Sequence, residues 1–304
     1  MPNDTSAKPP RQKGPLVWLD MDQKELDDAY DQAVYAPNQM KVQARRDVST
    51  ARAREALGGF ERVKYGAPEI EGLDLFRTKA EDAPVVLYIH GGAWRRGVSG
   101  DNHTPAEMFV NSGAHYLAAD FTNIDEHGGN LLPMVDQVRR SVAWTWQNAR
   151  SFGGNPDKLY VIGHSSGAHL TSCIITTDWA KDYGVPDNII AGSLTCSGMY
   201  DLTPVRLSKR SEYVRFTDEM VDKLSAMRRL DRITMPLVLG YGTEETPEFQ
   251  RQALDFAAAL KAAGKPHDLV VGVGYNHFEI AETIANPYGL IGRRVLKMMG
   301  LGPG

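Results

Sequence analysis

Cysteine is scarce in this chain: Cys173 and Cys196 are the two present among 304 residues. Both lie in apolar segments without metal-ligand spacing, which argues against a disulfide scaffold or a zinc cluster and for reduced core residues. An excess of either charge is missing too. Lys and Arg number 34 against 38 for Asp and Glu, a formal charge of −4, so no overall basic field is available and neither nucleic acid nor a membrane is expected as a partner. With 42% hydrophobic and 24% charged residues, the chain is neither disordered, collagenous nor membrane-spanning in composition. The segment Met1–Pro15 has no apolar run of the kind a secretory signal needs and reads as a flexible tail of a cytoplasmic protein. Asn102-His103-Thr104 matches a glycosylation acceptor, but without an export signal it has no compartment in which to matter. No strand is followed by a G-x-G-x-x-G loop with its downstream acid, so dinucleotide binding is a weak reading.

What is present is an alternation of two textures. Residues 16–58 read as a helical arm, with Met21–Tyr35 and Gln39–Leu57 rich in helix formers and broken at Pro37-Asn38. From residue 59 to 304 short apolar runs alternate with longer periodic segments, and eight strands are expected. These are Phe60–Tyr65, Leu73–Thr78, Val85–Ile89, His115–Phe121, Leu159–Ile162, Gly192–Cys196, Leu237–Tyr241 and Leu269–Val273. The first two are too close for a helix between them and form a hairpin; the others leave room for crossovers. Pro133–Arg150 carries an apolar stripe at helical spacing, and Thr246-Pro247 reads as a cap followed by a first-turn proline. The expected class is α/β: a mostly parallel, doubly wound sheet with helices on both faces, whose reactive groups gather at the strands' carboxyl ends.

Gly163-His164-Ser165-Ser166-Gly167 follows such a strand and precedes a helix. This is the setting of a nucleophile elbow, in which Ser165 projects from a sharp turn and the glycines let helix and strand backbones approach. His90-Gly91-Gly92-Ala93-Trp94 follows an earlier strand. Backbone N–H groups of Gly92 and Ala93, with that of Ser166, then form an oxyanion hole, while His90 orients the loop. A serine hydroxyl needs a base, and of eight histidines His277 stands just beyond the last strand, where it can reach the elbow. The third member must come from Glu244, Glu245 or Glu248. Glu245 is preferred because it directly precedes the helix cap, although acidic residues near a helix start also serve the macrodipole alone. Trp94, Tyr200 and Phe278 are candidate aromatic walls of a substrate pocket, with core packing as the alternative for each.

The order Ser165, Glu245, His277 is that of an α/β-hydrolase, and here the chain resembles a known group. The motifs already given, together with Ser197-Gly198-Met199-Tyr200-Asp201-Leu202, Thr246–Gln252 and Asn276-His277-Phe278-Glu279, resemble the arylformamidase (kynurenine formamidase)-like members of the His-Gly-Gly-x-Trp esterases and lipases. Tyr35-Ala36-Pro37-Asn38 is similar to part of that family's N-terminal arm, which helps cover the active site. The resemblance implies hydrolysis of a small N-formyl aryl amide, with N-formylkynurenine as type substrate, through an acyl-enzyme and without metal or cofactor. Two departures stand out: Glu245 falls where the family usually has aspartate, and Ala119–His127 replaces the Tyr-Arg-Leu-Ala-Pro-like run of related esterases. The partner is therefore a small-molecule amide or ester, and self-association is left open. Competing readings are a carboxylesterase, aryl-amidase or carbamate hydrolase with the same machinery, and a non-catalytic ligand-binding homologue.

Overall fold

Short β-branched runs punctuated by Gly and Pro become strands because both of their faces can be buried, and the computed structural model, which describes residues 11–302, shows where each goes. A two-stranded hairpin, β1 (Leu16–Trp18) and β2 (Met21–Asp22), opens the chain. The main sheet follows with β3 (Glu61–Lys64), β4 (Gly72–Phe76), β5 (Ala83–Ile89), β6 (His115–Ala119), β7 (Gly154–His164), β8 (Gly192–Cys196), β9 (Leu237–Gly242) and β10 (His267–Gly272). Its strand order is β10-β9-β8-β7-β5-β6-β4-β3. β4 is antiparallel to both of its neighbours, and the other pairings are parallel. This is the α/β-hydrolase fold expected from the sequence, including the hairpin of the first two strands.

Successive residues of the central strands serve opposite cores. Leu87, Val161 and Leu239 belong to one buried apolar cluster, whereas Val86, Ile162 and Val238 belong to the other, as the two-residue period of a strand requires. Consecutive crossovers leave β5 toward β6 and β7 toward β8, in opposite directions along the sheet. The crevice between β5 and β7 is therefore the topological switch point, where ligands bind in doubly wound sheets.

The structure corrects three expectations. Met21–Tyr35 is not one helix: β2 takes its start, and the rest divides into Gln23–Ala29 and Gln32–Tyr35. Asp22 caps the first piece and Asp31 the second; a short acid that satisfies a fresh helix start ends the preceding one. β7 begins at Gly154, before Pro156, because the pairing with β5 is irregular between Ala83 and Val85 and spares the missing N–H. Of the expected tail, residues 1–10 lie outside the described residues. Residues 11–15 are tied down: Arg11 pairs with Asp22 at 2.7 Å, and the Gly14 N–H donates to the same carboxylate at 2.7 Å. Among the described residues, no helix is long and apolar enough to cross a membrane.

The arm docks onto the hydrolase body by burying Leu26 and Tyr30 in its apolar core and through polar contacts. Glu248, the first-turn acid of the helix Pro247–Ala262, is fully buried and accepts from the Tyr30 hydroxyl at 2.8 Å and from the Trp18 indole at 3.3 Å, while Arg251 neutralises it. Asn38 bonds both Asn276 and Glu279.

Candidate active site

Ser165 sits between the end of β7 and the helix Ser166–Ile175 with φ of 60°, a conformation that a residue with a side chain adopts only when its surroundings impose it. The glycines around it are sterically required. A Cβ on Gly163 would lie 2.4 Å from the carbonyl oxygen of Gly167, and one on Gly167 would lie 2.1 Å from that of Ile89. A backbone bond from the Ser165 N–H to the Cys196 oxygen at 2.9 Å pins the turn from the side of β8.

Three side chains then meet across the sheet's carboxyl edge. The Ser165 hydroxyl lies 2.8 Å from His277 Nε2, and His277 Nδ1 lies 2.8 Å from Glu245 Oε2. Glu245 and His277 are buried, whereas Ser165 is half-buried at the base of a cavity of about 480 Å³. The other oxygen of Glu245 accepts from the Ser197 hydroxyl at 2.6 Å and the Gly242 N–H at 2.7 Å. Glu244 is exposed and Glu248 belongs to the arm contact, so of the three acids only Glu245 touches the histidine.

His277 is the first residue of a short helix whose cap, Asn276, accepts from the N–H groups of Phe278 and Glu279. His164 steadies the same point by donating from Nε2 to the His277 carbonyl at 2.9 Å. Burial, reinforced by His277 and Arg46, holds His164 far below the ordinary histidine range, so it stays neutral and does not compete for the proton His277 would accept. Sequence reasoning assigned no role to Ser197 or His164. Their signal was only their place at strand ends beside the elbow and the acid.

On the β5 side, Gly92, Ala93 and Trp94 take φ of 117°, 56° and 63°. A Cβ on Gly92 would stand 1.9 Å from the Arg96 oxygen, so the loop depends on a residue without one. The N–H groups of Gly92, Ala93 and Ser166 have no hydrogen-bond partner among the described residues, and Gly92 and Ala93 line the cavity with Ser165. His90 does hold the loop: its Nδ1 lies 2.8 Å from the Gly91 oxygen and its ring stacks on Phe121 at 4.1 Å.

Of the expected aromatic walls only Phe278 lines the cavity. Tyr200 is fully buried, stacked on Phe256 at 4.2 Å with its hydroxyl on Thr195, and is a core residue. Trp94 turns inward, its indole N–H donating to His169 Nδ1 at 3.2 Å. Both chose burial because their polar atoms find partners inside. Cys173 and Cys196 are free and buried, as expected.

The His169 contact has a consequence for stability. Burial lowers its pKa to about 4 from an ordinary 6.5, so the unfolded chain binds the proton first as pH falls. The stabilisation from a neutral His169 is complete above pH 6.5 and is lost progressively toward pH 4. From pH 7.5 to 5, unfolding by urea is expected to show a drop in stability about 2 kcal/mol larger for the wild type than for His169→Gln. Equal drops for the two proteins would refute this reading.

These elements define an α/β-hydrolase, and comparison with known proteins places it more narrowly. The BD-FAE family model matches residues 73–191. The chain is 30% identical to the kynurenine formamidase of Danio rerio, over 93% of this chain and 98% of that one. It is also 30% identical to a probable isoprenylcysteine alpha-carbonyl methylesterase of Oryza sativa, over 72% of this chain and 56% of the relative. Among solved structures, esterase LipW of Mycobacterium marinum superposes with a TM-score of 0.68 at 17% identity, covering 89% of each chain. The chain belongs to the kynurenine formamidase family and is a hydrolase of small substrates.

Proposed function

We propose that this protein is a serine hydrolase that cleaves small N-formyl aryl amides, of which N-formylkynurenine is the type, through an acyl-enzyme. The observation that carries the proposal is the continuous chain from Ser165 through His277 to Glu245, 2.8 Å at each link. In this reading His277 takes the hydroxyl proton as Ser165 attacks the carbonyl carbon. Glu245 holds Nδ1–H so that Nε2 is the free base, and it stabilises the imidazolium that forms. The N–H groups of Gly92, Ala93 and Ser166 receive the negative oxygen of the tetrahedral intermediate, one such donor contributing about 3 kcal/mol to lowering the barrier. The imidazolium then protonates the departing amine. Water, activated by the same histidine, attacks the formyl ester and releases Ser165.

The name of the Danio rerio relative and its nearly complete overlap favour the formamidase substrate. The methylesterase relative favours a second reading, a small-ester hydrolase with the same machinery. The two are separated by kcat/KM on N-formylkynurenine, p-nitrophenyl acetate, p-nitrophenyl butyrate and a simple acetanilide, before and after reaction with a serine-directed fluorophosphonate. Formamidase activity predicts much the highest value on N-formylkynurenine and its loss on labelling. A higher value on the esters, equally lost, would transfer the assignment to the second reading. Activity that survives complete labelling of Ser165 would dismiss both.

A further inference from the structure

The catalytic cavity is lined by more positive than negative side chains, although the whole chain carries a formal charge of −4. Arg46, Arg96, Lys209 and Arg210 face it, against Asp31 and Asp101. Two of the four cations are already engaged: Lys209 pairs with Asp31, while Arg210 lies over the Trp94 ring and bonds the Tyr30 carbonyl and the Tyr213 hydroxyl. Arg96 is exposed. Arg46 is different, because it is half-buried and makes neither an ion pair nor a side-chain hydrogen bond among the described residues, and its Nε is wholly shielded from solvent without a partner. A guanidinium N–H withdrawn from water and left unpaired is costly unless something else completes it.

Its position says what that is. Arg46 belongs to the arm helix Gln39–Ala56 and lies close enough to Tyr88, His90 and His164 to act on all three electrostatically. It stands at the junction of two cavities. The catalytic one shares Arg46, Tyr88, Asn102 and Phe278 with a second cavity of about 760 Å³ beneath the arm. Tyr88, at the carboxyl end of β5, is 5% exposed, and its hydroxyl has no hydrogen-bond partner among the described residues. Burial raises its pKa to about 12, so near neutrality it is a donor. A planar cation and a hydroxyl donor, both unpartnered and both on the path between two cavities, match the two oxygens of a carboxylate.

We propose that Arg46 and Tyr88 form a recognition site for a carboxylate that the substrate carries away from its scissile bond, making this enzyme selective for amides or esters that bear a carboxylate. The inference rests on the hydrolase reading for its link to turnover, but binding tests it separately. The probes are meta-formamidobenzoate and meta-formamidobenzamide, which differ only in the charged group. Titrated calorimetrically into Ser165→Ala protein, the carboxylate is expected to bind about 10- to 100-fold more tightly than the amide, the range for a hydrogen bond to a charged group. Adding Arg46→Met should abolish that ratio, Arg46→Lys should keep part of it, and Tyr88→Phe should reduce it by a smaller factor. Because a ratio is read, a fraction of misfolded protein does not alter the result. Equal binding of the two probes, or a preference that survives Arg46→Met, overturns the proposal. A preference lost with Arg46→Met in a protein whose wild type turns over neither probe would uphold the subsite and count against the hydrolase reading instead.

Discussion

Replacing Ser165 with alanine is expected to reduce kcat by about a million-fold, and replacing His277 with alanine to do nearly the same. The more informative result is the double variant. In the proposed mechanism serine and histidine act as one device: without a base at 2.8 Å the hydroxyl is inert, and without the hydroxyl the base has nothing to activate. The two losses should therefore not multiply, and Ser165→Ala/His277→Ala should be no slower than either single variant. What persists would be the modest rate that the unpaired N–H groups at Gly92, Ala93 and Ser166 give to attack by water. Ser165→Ala within tenfold of wild type on the best substrate would sink the nucleophilic role of Ser165.

The second large effect is on the acid. Glu245→Gln is expected to lower kcat by about 10⁴-fold, while Glu244→Gln, on an exposed side chain, should change it less than twofold. The reason is orientation of protons. Oε1 of Glu245 accepts from both Ser197 and Gly242, so a glutamine would keep its oxygen there and turn its amide nitrogen toward His277 Nδ1. The imidazole would then have to accept at Nδ1 and carry its proton on Nε2, where it faces Ser165 and can no longer take a proton. If Glu244→Gln proved the more damaging, the acid would have to be reassigned to Glu244.

The sheet could be read from the sequence because its strands are short apolar runs between turn residues, and the elbow because its Gly-x-Ser-x-Gly pattern lies between strand and helix. Loop position favours Glu245 over its neighbours, and Glu245 is the one of the three acids whose carboxylate meets His277. Legibility ended where a residue's role depends on distant chain. Nothing near Tyr200 in sequence says that Thr195 and Phe256 will satisfy it inside. Nothing near Trp94 announces His169. The same holds for the small hairpin at residues 16–22 and for Asp31, which ends one arm helix by capping the next. An exposed-looking arginine in a polar helix, such as Arg46, carries no local sign that its Nε will be shielded from solvent.

The way the arm is fastened bears on how the chain reaches its native state. Trp18 and Tyr30 bond Glu248 across 230 and 218 residues, Asn38 reaches Glu279 across 241, and Arg45 reaches Glu282 across 237. During synthesis the arm precedes every surface that holds it, and one part of that surface, residues 248–282, follows more than 200 residues later. Leu26, Ala29 and Tyr30, fully or almost fully buried in the finished protein, lack a complete native site until Glu248 and Phe249 have left the ribosome, and such contacts of high separation are slow to form. At about 5–20 residues per second this wait lasts on the order of ten seconds or more. The nascent arm thus carries buried-to-be apolar surface that stays uncovered until residues more than 200 positions downstream come back to it.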